Sequence, residues 1–271
     1  MFVTLHPDDE ILHRQPFTDA EVPYNLIHLI CGNEQNYCLK STDGRFIFAQ
    51  TPGHKAWVWM ADDVDDQFSQ VLVTALIERI QDVELPGISG ESALARKFAH
   101  TYSLARQVTY RTELIMESYV CPVVKTPSKG GTWLKKATLE HAQTLAEFCA
   151  GFARDAYGTS AEPSSQLPLA ERMIQSGNLY LLFADSPEPV SMANIAHRSA
   201  RHARINAVYT PPEQRKQGYA SAVVSQLCDI VHQEGLIPML YADTKNPDSN
   251  KVYRNIGFVE SGKIAEIKFS K

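Results

Sequence analysis

Apolar side chains between Asp66 and Gln81 fall at Phe68, Val71, Leu72, Ala75, Leu76, Ile77 and Ile80, the spacing of one face of a helix. Ahead of it, Tyr37 to Lys40 and Arg45 to Ala49 flank Ser41-Thr42-Asp43-Gly44, which predicts a hairpin, and Trp57 to Met60 reads as a further strand. Ser92 to Leu104 reads as a helix and Val108 to Val120 as a long strand. A second series then begins. Strand Thr132 to Ala137 leads through Thr138, the expected N-cap, into a helix from Glu140 to Ala156, and a further helix covers Leu167 to Gln175. Leu179 to Ala184 and Val190 to His197 predict antiparallel strands joined by a proline-bearing turn. Strand Arg204 to Thr210, helix Tyr219 to Gln233, strand Met239 to Ala242, helix Ser249 to Ile256 and strand Phe258 to Phe269 complete the series. Meandering strands followed by strand-helix alternation predict a mixed α/β (α+β) sheet, with no repeat at solenoid periods.

The breaker-rich stretch from Cys121 to Gly131, with Pro122, Pro127, Ser128, Lys129 and Gly130, divides the 271 residues into domains at 1–125 and 126–271. A formal net charge of -5 offers no overall basic field for nucleic acid or an anionic membrane. Cys31, Cys38, Cys121, Cys149 and Cys228 are scattered, without a CxxC pair, which fits a reducing compartment, and no short-spaced cluster of ligands predicts a metal. His6, Asp8, Asp9 and Glu10 stand where an export signal needs basic residues, and charges or prolines interrupt every apolar run. A cytoplasmic protein, monomeric or homodimeric, is expected.

The most informative stretch is Val208-Tyr209-Thr210-Pro211-Pro212-Glu213-Gln214-Arg215-Lys216-Gln217-Gly218-Tyr219-Ala220, a strand that turns into a helix. A helix start presents unpaired N–H groups, and glycine lets an anion approach them without a side chain in the way. Arg215 and Lys216 add positive charge there. Arg215, Gly218 and Ala220 match R/Q-x-x-G-x-G/A, the phosphate-loop signature of the GNAT (GCN5-related) N-acetyltransferase superfamily, which this stretch resembles. Asn246, Ser249, Tyr253, Gly257 and Phe258 resemble a second element of that family, N-x-x-[SA]-x-x-x-Y-x-x-x-G-F.

The resemblance covers roughly Thr132 to Lys271 and is similar to bacterial two-part acetyltransferases, in which a GNAT-like N-terminal half precedes a complete C-terminal acyl-CoA N-acyltransferase fold. It implies acetyl-CoA as co-substrate, no metal, and direct transfer of acetyl to a primary amine. The implied cofactor-binding residues are Val208, Thr210, Arg215, Lys216, Gln217, Gly218, Tyr219, Ala220, Ser221, Asn246, Ser249 and Asn250, and Tyr253 would return a proton to the leaving thiolate. A phenol, protonated at neutral pH, suits that step.

The general base is open: the strand carries Arg204 and Asn206 where many family members have glutamate, leaving Glu213, His197, His202 or water. The N-terminal half lacks a phosphate-loop match, and its Leu85-Pro86-Gly87-Ile88-Ser89-Gly90-Glu91 reads as a turn. It is expected to wall the acceptor pocket or support the catalytic half. Two other readings stay open, a non-catalytic acyl-CoA-binding regulator and an aminoacyl-tRNA-dependent transferase with a tandem GNAT-like fold.

Overall fold

A computed structural model describes residues 1–125 and 130–271. Pro127, Ser128 and Lys129, cited above for the domain division, lie outside the described residues.

The chain forms two compact units that interleave along the sequence. The first comprises Met1–Tyr119, Tyr241–Asn246 and Glu260–Lys271, and the second Val120–Leu240 and Pro247–Val259. Residues from the far end of the chain complete the first unit.

In the first unit the order is β1 (Phe2–Thr4), α1 (Glu21–Tyr24), α2 (Leu26–Cys31), β2 (Tyr37–Ser41), β3 (Phe46–Gln50), β4 (Ala56–Met60), α3 (Asp66–Arg79), β5 (Gly87–Gly90), α4 (Ser92–Arg106) and β6 (Thr109–Val120). β1 to β4 are antiparallel neighbours, and β4 and β5 run parallel. β12 (Val259–Ser270), from the end of the chain, pairs antiparallel with β5, setting Ile267 opposite Ile88.

Strand alternation sends neighbouring side chains to opposite faces. Phe46, Phe48, Ala56 and Val58 join Leu72, Leu76, Leu94 and Phe98 of α3 and α4 in one core. Ile47, Ala49, Trp57 and Trp59 join Phe17, Tyr24 and Ile27 in the other. Both faces are covered, which is why β3 is buried throughout and lacks a polar phase.

In the second unit the order is β7 (Trp133–Lys136), α5 (Ala142–Tyr157), α6 (Pro163–Gln175), β8 (Leu179–Phe183), β9 (Pro189–Arg198), β10 (His202–Tyr209), α7 (Tyr219–Gln233), β11 (Ile237–Asp243), α8 (Pro247–Ile256) and then β12. Tyr241 to Asp243 of β11 and all of β12 after Val259 are counted with the first unit. β7 to β10 pair antiparallel, and β10 pairs parallel with β11. α5 and α6 cover one face through Leu145, Phe148, Cys149 and Ala170 on Leu179, Leu181 and Met192. α7 packs against β8, β9 and β10, and also touches α8.

The two series have the same element order. The second half carries the mixed α/β acyltransferase-type layout expected of it, and the first half repeats that layout without repeating its sequence.

Several elements differ from the sequence reading. β1, α1 and α2 carry too few periodic positions to be predicted, and α6 starts at Pro163, where proline suits a first helical turn. Thr138 precedes a short turn, Leu139–His141, whose His141 Nδ1 accepts the Thr138 amide at 3.1 Å. Leu85 to Glu91 is a buried strand as well as a turn: Gly87 and Gly90 let β12 and β4 approach closely, since a Cβ on Gly87 would lie 2.3 Å from the Ile267 carbonyl oxygen. The cysteines are less scattered than their spacing implies, because Cys31 hydrogen-bonds Cys38 and Cys121 hydrogen-bonds Cys228, all as free thiols. Hydrogen bonding to Cys38, with burial, pushes the Cys31 thiol up.

Candidate functional site

The parallel pairing of β10 with β11 joins His202, Ala203 and Arg204 to Ile237, Pro238 and Met239, and it stops there. On its other side β10 pairs Asn206 with Asn194 and Tyr209 with Met192, so one extra residue is accommodated between them. Ala207 absorbs that bulge at φ 49, a left-handed conformation that is costly outside glycine. The segment from Ile205 to Tyr209 thus carries the bulge and lies beyond the paired register of β10 with β11.

Beyond Tyr209, a turn over Pro212–Gln214 leads to Arg215, then Lys216 at φ 60, and Gly218 at φ 85 caps α7. Alternating left-handed residues turn successive amides toward one side, as in main-chain anion sites. No side chain caps α7, whose first turn holds Tyr219, Ala220 and Ser221. Lys216, Gln217 and Gly218 are exposed, Tyr219 is buried, and Ala220 and Ser221 are half-buried. This helix of 15 residues therefore begins with its positive end open to the surface.

Arg215, nearly half of whose side chain stays exposed, also has partners within the protein. Its Nε donates to the Thr210 carbonyl oxygen at 3.0 Å, its Nη2 pairs with Asp155 of α5, and its guanidinium lies 5.9 Å from the Tyr209 ring centre. Arg215 holds the loop to α5, and Lys216 is left as the exposed cation beside the helix start. Partial burial works to raise the Asp155 carboxyl, but the hydrogen bonds from Arg215 and Arg154 outweigh it and hold the group below the ordinary carboxylate range.

Ser191 Oγ donates to the Tyr209 carbonyl oxygen at 2.8 Å and lies 2.9 Å from Thr210 Oγ1, which fixes the end of β10. Tyr209 is 7% exposed, and its ring crosses to α5, 5.7 Å from that of Phe148. It fits there because residue 151 is glycine: a Cβ would meet Tyr209 Oη at 2.0 Å. Asn194 Nδ2 donates to Asn206 Oδ1 at 2.9 Å, while the buried Asn194 Oδ1 has no partner among the described residues.

The second signature falls on α8 and the turn before it. Asn246 donates its amide to Asp243 and is counted with the first unit, whereas Ser249, Asn250 and Tyr253 belong to the second. Asn250 is buried, Ser249 half-buried, and Tyr253 is 9% exposed with its ring edge-on to Phe258 at 5.9 Å. Gly257, at φ 126, ends the helix, and its missing side chain lets the chain at Val123 come within 2.4 Å of where a Cβ would be. Lys125 uses that approach to donate its amide to Ile256 at 2.7 Å.

The candidate bases separate clearly. His197 and His202 are both buried; His197 lies opposite Arg204 in the pairing of β9 with β10, while from His202 to Val208 a strand runs roughly 20 Å, too far for direct proton transfer there. Glu213 is exposed on the turn after β10. Together with Glu147, Phe148, Gly151, Tyr209 and Pro212 it lines a cleft of about 330 Å³ that sequence reasoning did not anticipate.

The corresponding turn in the first unit, between β4 and α3, is Ala61-Asp62-Asp63-Val64-Asp65. Asp65 Oδ1 accepts the Phe68 amide at 2.8 Å, so the helix start is already capped by a carboxylate. Asp62, Asp63 and Asp66 surround it in sequence. Aspartates thus stand before α3 where Arg215 and Lys216 stand before α7.

Comparison with known proteins follows the same lines. Residues 183–265, from the end of β8 into β12, match the family model described as FR47-like protein. No curated protein matches the chain in sequence. Among solved structures, a GCN5-related N-acetyltransferase from Sphaerobacter thermophilus aligns over 99% of this chain and 95% of its own, with a TM-score of 0.63 at 12% identity. A GNAT-family acetyltransferase from Colwellia psychrerythraea aligns over 99% and 98%, with a TM-score of 0.59 at 13% identity. A GCN5-related N-acetyltransferase from Kribbella flavida aligns over 84% and 87%, with a TM-score of 0.52 at 13% identity. At these identities the likeness establishes the fold, and the chain has the GNAT fold over nearly its whole length. Among the described residues no helix is long and apolar enough to cross a membrane.

Proposed function

We propose, from the GNAT fold and the open start of α7, that the protein is an acyl-CoA-dependent N-acyltransferase that moves acetyl from acetyl-CoA to a primary amine. The single observation that carries this reading is the main-chain turn from Arg215 to Gly218, left-handed at Lys216 and Gly218 and uncapped at the helix it opens. Amides of Gly218 to Ser221, with the positive helix end, suit a diphosphate, and Lys216 adds a point charge. The departing edge of β10 suits the amide-bearing pantetheine arm, which would pair with the main chain at Val208 and Thr210 like an added strand.

In the reaction so proposed, the neutral amine nitrogen attacks the thioester carbonyl carbon, the carbon–sulfur bond breaks, and the amine gives up a proton as the sulfur gains one. Tyr253 is proposed as the donor to sulfur. The proton leaving nitrogen is proposed to pass to water, since β10 itself carries Arg204 and Asn206 and no acid. Asn246, Ser249 and Asn250 are proposed to steady the arm, and the N-terminal half, residues 1–125, to play a supporting part without a phosphate site of its own. The capped, aspartate-rich turn before α3 favours that supporting role.

Calorimetric titration with coenzyme A tests the cradle, and release of free thiol from acetyl-CoA with an amine panel tests transfer. Micromolar heat with wild type and weakened binding in Gly218→Val are expected, because a branched side chain at φ 85 is strained and blocks the amides. Absence of binding, or equal binding by both proteins, rejects the cradle. Binding without thiol release would favour the regulator reading.

A further inference from the structure

The cleft beneath the end of β10 has a composition that the cradle does not require. Glu147 projects from α5 and Glu213 from the turn after β10, and both line the cleft. Among the described residues neither carboxylate has an ion-pair partner, whereas Arg154, the cation on the rim, is bound to Asp155 at 3.1 Å. At the base, Tyr209 is 7% exposed, yet its hydroxyl has no hydrogen-bond partner among the described residues and is not sealed from the cleft. An unpartnered hydroxyl in the lining of a cleft leaves hydrogen-bonding capacity for whatever fills it.

We infer that this cleft holds an ammonium group of the acceptor, bound by Glu147 and Glu213 with Tyr209 Oη accepting a hydrogen bond, and that the acceptor is therefore a diamine. The inference rests on the transfer reading given above. It assigns the two nitrogens different fates: one stays charged in the cleft, and the other is neutral and acetylated. Their separation is set by Tyr209 itself. Its backbone lies between Val208 and Thr210, where the thioester arm is proposed to run, and its hydroxyl marks the cleft. A short alkyl chain matches the reach of that side chain. Two unpaired carboxylates select against an acceptor that carries its own carboxylate.

Three probes of the same chain length decide this: putrescine, butylamine, which lacks the second nitrogen, and gamma-aminobutyrate, which replaces it with a carboxylate. With acetyl-CoA saturating, putrescine should show a KM roughly tenfold below butylamine, and gamma-aminobutyrate should be the poorest, as expected for two partly exposed charge contacts. Glu147→Gln and Glu213→Gln should each raise the putrescine KM about two- to fivefold relative to the butylamine KM of the same variant. Equal KM values for putrescine and butylamine overturn the inference, as does a Gln variant that affects both alike. Putrescine calorimetry on wild type and on the double variant separates this inference from the transfer reading. If no amine releases thiol, transfer fails; heat with putrescine that the double variant loses still supports the cleft, and no heat with wild type overturns it.

Discussion

Replacing Gly151 by alanine sets two effects of opposite sign against each other. Gly151 sits inside α5, where alanine is preferred over glycine by about 1 kcal/mol, so helix propensity alone makes the change stabilising. The structure says otherwise, because the new methyl would lie 2.0 Å from Tyr209 Oη and 2.5 Å from its Cζ. Such separations cannot be met by a small adjustment, and the ring has little room, with Phe148 at 5.7 Å and the Arg215 guanidinium at 5.9 Å. Overpacking a site of this kind costs about 1–3 kcal/mol. The net expectation is destabilisation by about 1 kcal/mol or somewhat more, a fall of about 2–4 °C in Tm per kcal/mol for a unit of this size. With Tyr209→Ala in place the obstruction is gone, and the same Gly151→Ala change should stabilise by up to about 1 kcal/mol. Urea titration followed by far-ultraviolet circular dichroism on the four proteins of this cycle reads the reversal directly. A Gly151→Ala protein that is more stable than wild type, or a shift of one sign in both backgrounds, would refute the seating of Tyr209 on α5.

Two further expectations follow from the same region. Tyr253→Phe should lower kcat for thiol release by tenfold or more, within the range for losing a general acid, and leave coenzyme A affinity nearly intact; equal turnover removes Tyr253 from the mechanism. The Asp155–Arg215 pair makes stability pH-dependent: the Asp155 pKa is lowered in the folded state, so its contribution is present above about pH 4, the unfolded value, and is lost as pH falls through the lower folded one. Thermal midpoints should place Asp155→Asn below wild type at pH 6, by a contribution of about 1 kcal/mol or less, and bring the two together toward pH 3; a gap that widens on acidification contradicts the pairing.

What the sequence made legible was the work of local patterns. The helices α3, α4, α5 and α7 and the strands β2 to β4 and β8 to β10 were readable because alternation or helical spacing persists over their length. The turn into α7 was readable because glycine, charge and helix start occur within a few positions. The remainder depends on partners distant in the chain. Nothing near Asp155 announces that it will hold Arg215, and nothing near Gly151 announces Tyr209. The charge of Arg215 was visible in the sequence, and its carboxylate partner was not. The likeness of the two halves was expected from the resemblance to two-part acetyltransferases and not from the residues of the first half: element order repeats, while the glycine and basic side chains before α7 are replaced by aspartates before α3.

The antiparallel seat of β12 against β5 bears on how the protein comes to be made. A ribosome delivers β5 early and β12 only after the whole of the second unit, an interval on the order of ten seconds at ordinary elongation rates. During that time the first-made sheet has a bare margin of unbonded amides and carbonyls, with Gly87 and Gly90 offering no bulk to fend off strangers. Fragments cut at the linker would keep that margin for good, so they should clump where the intact polypeptide stays dispersed.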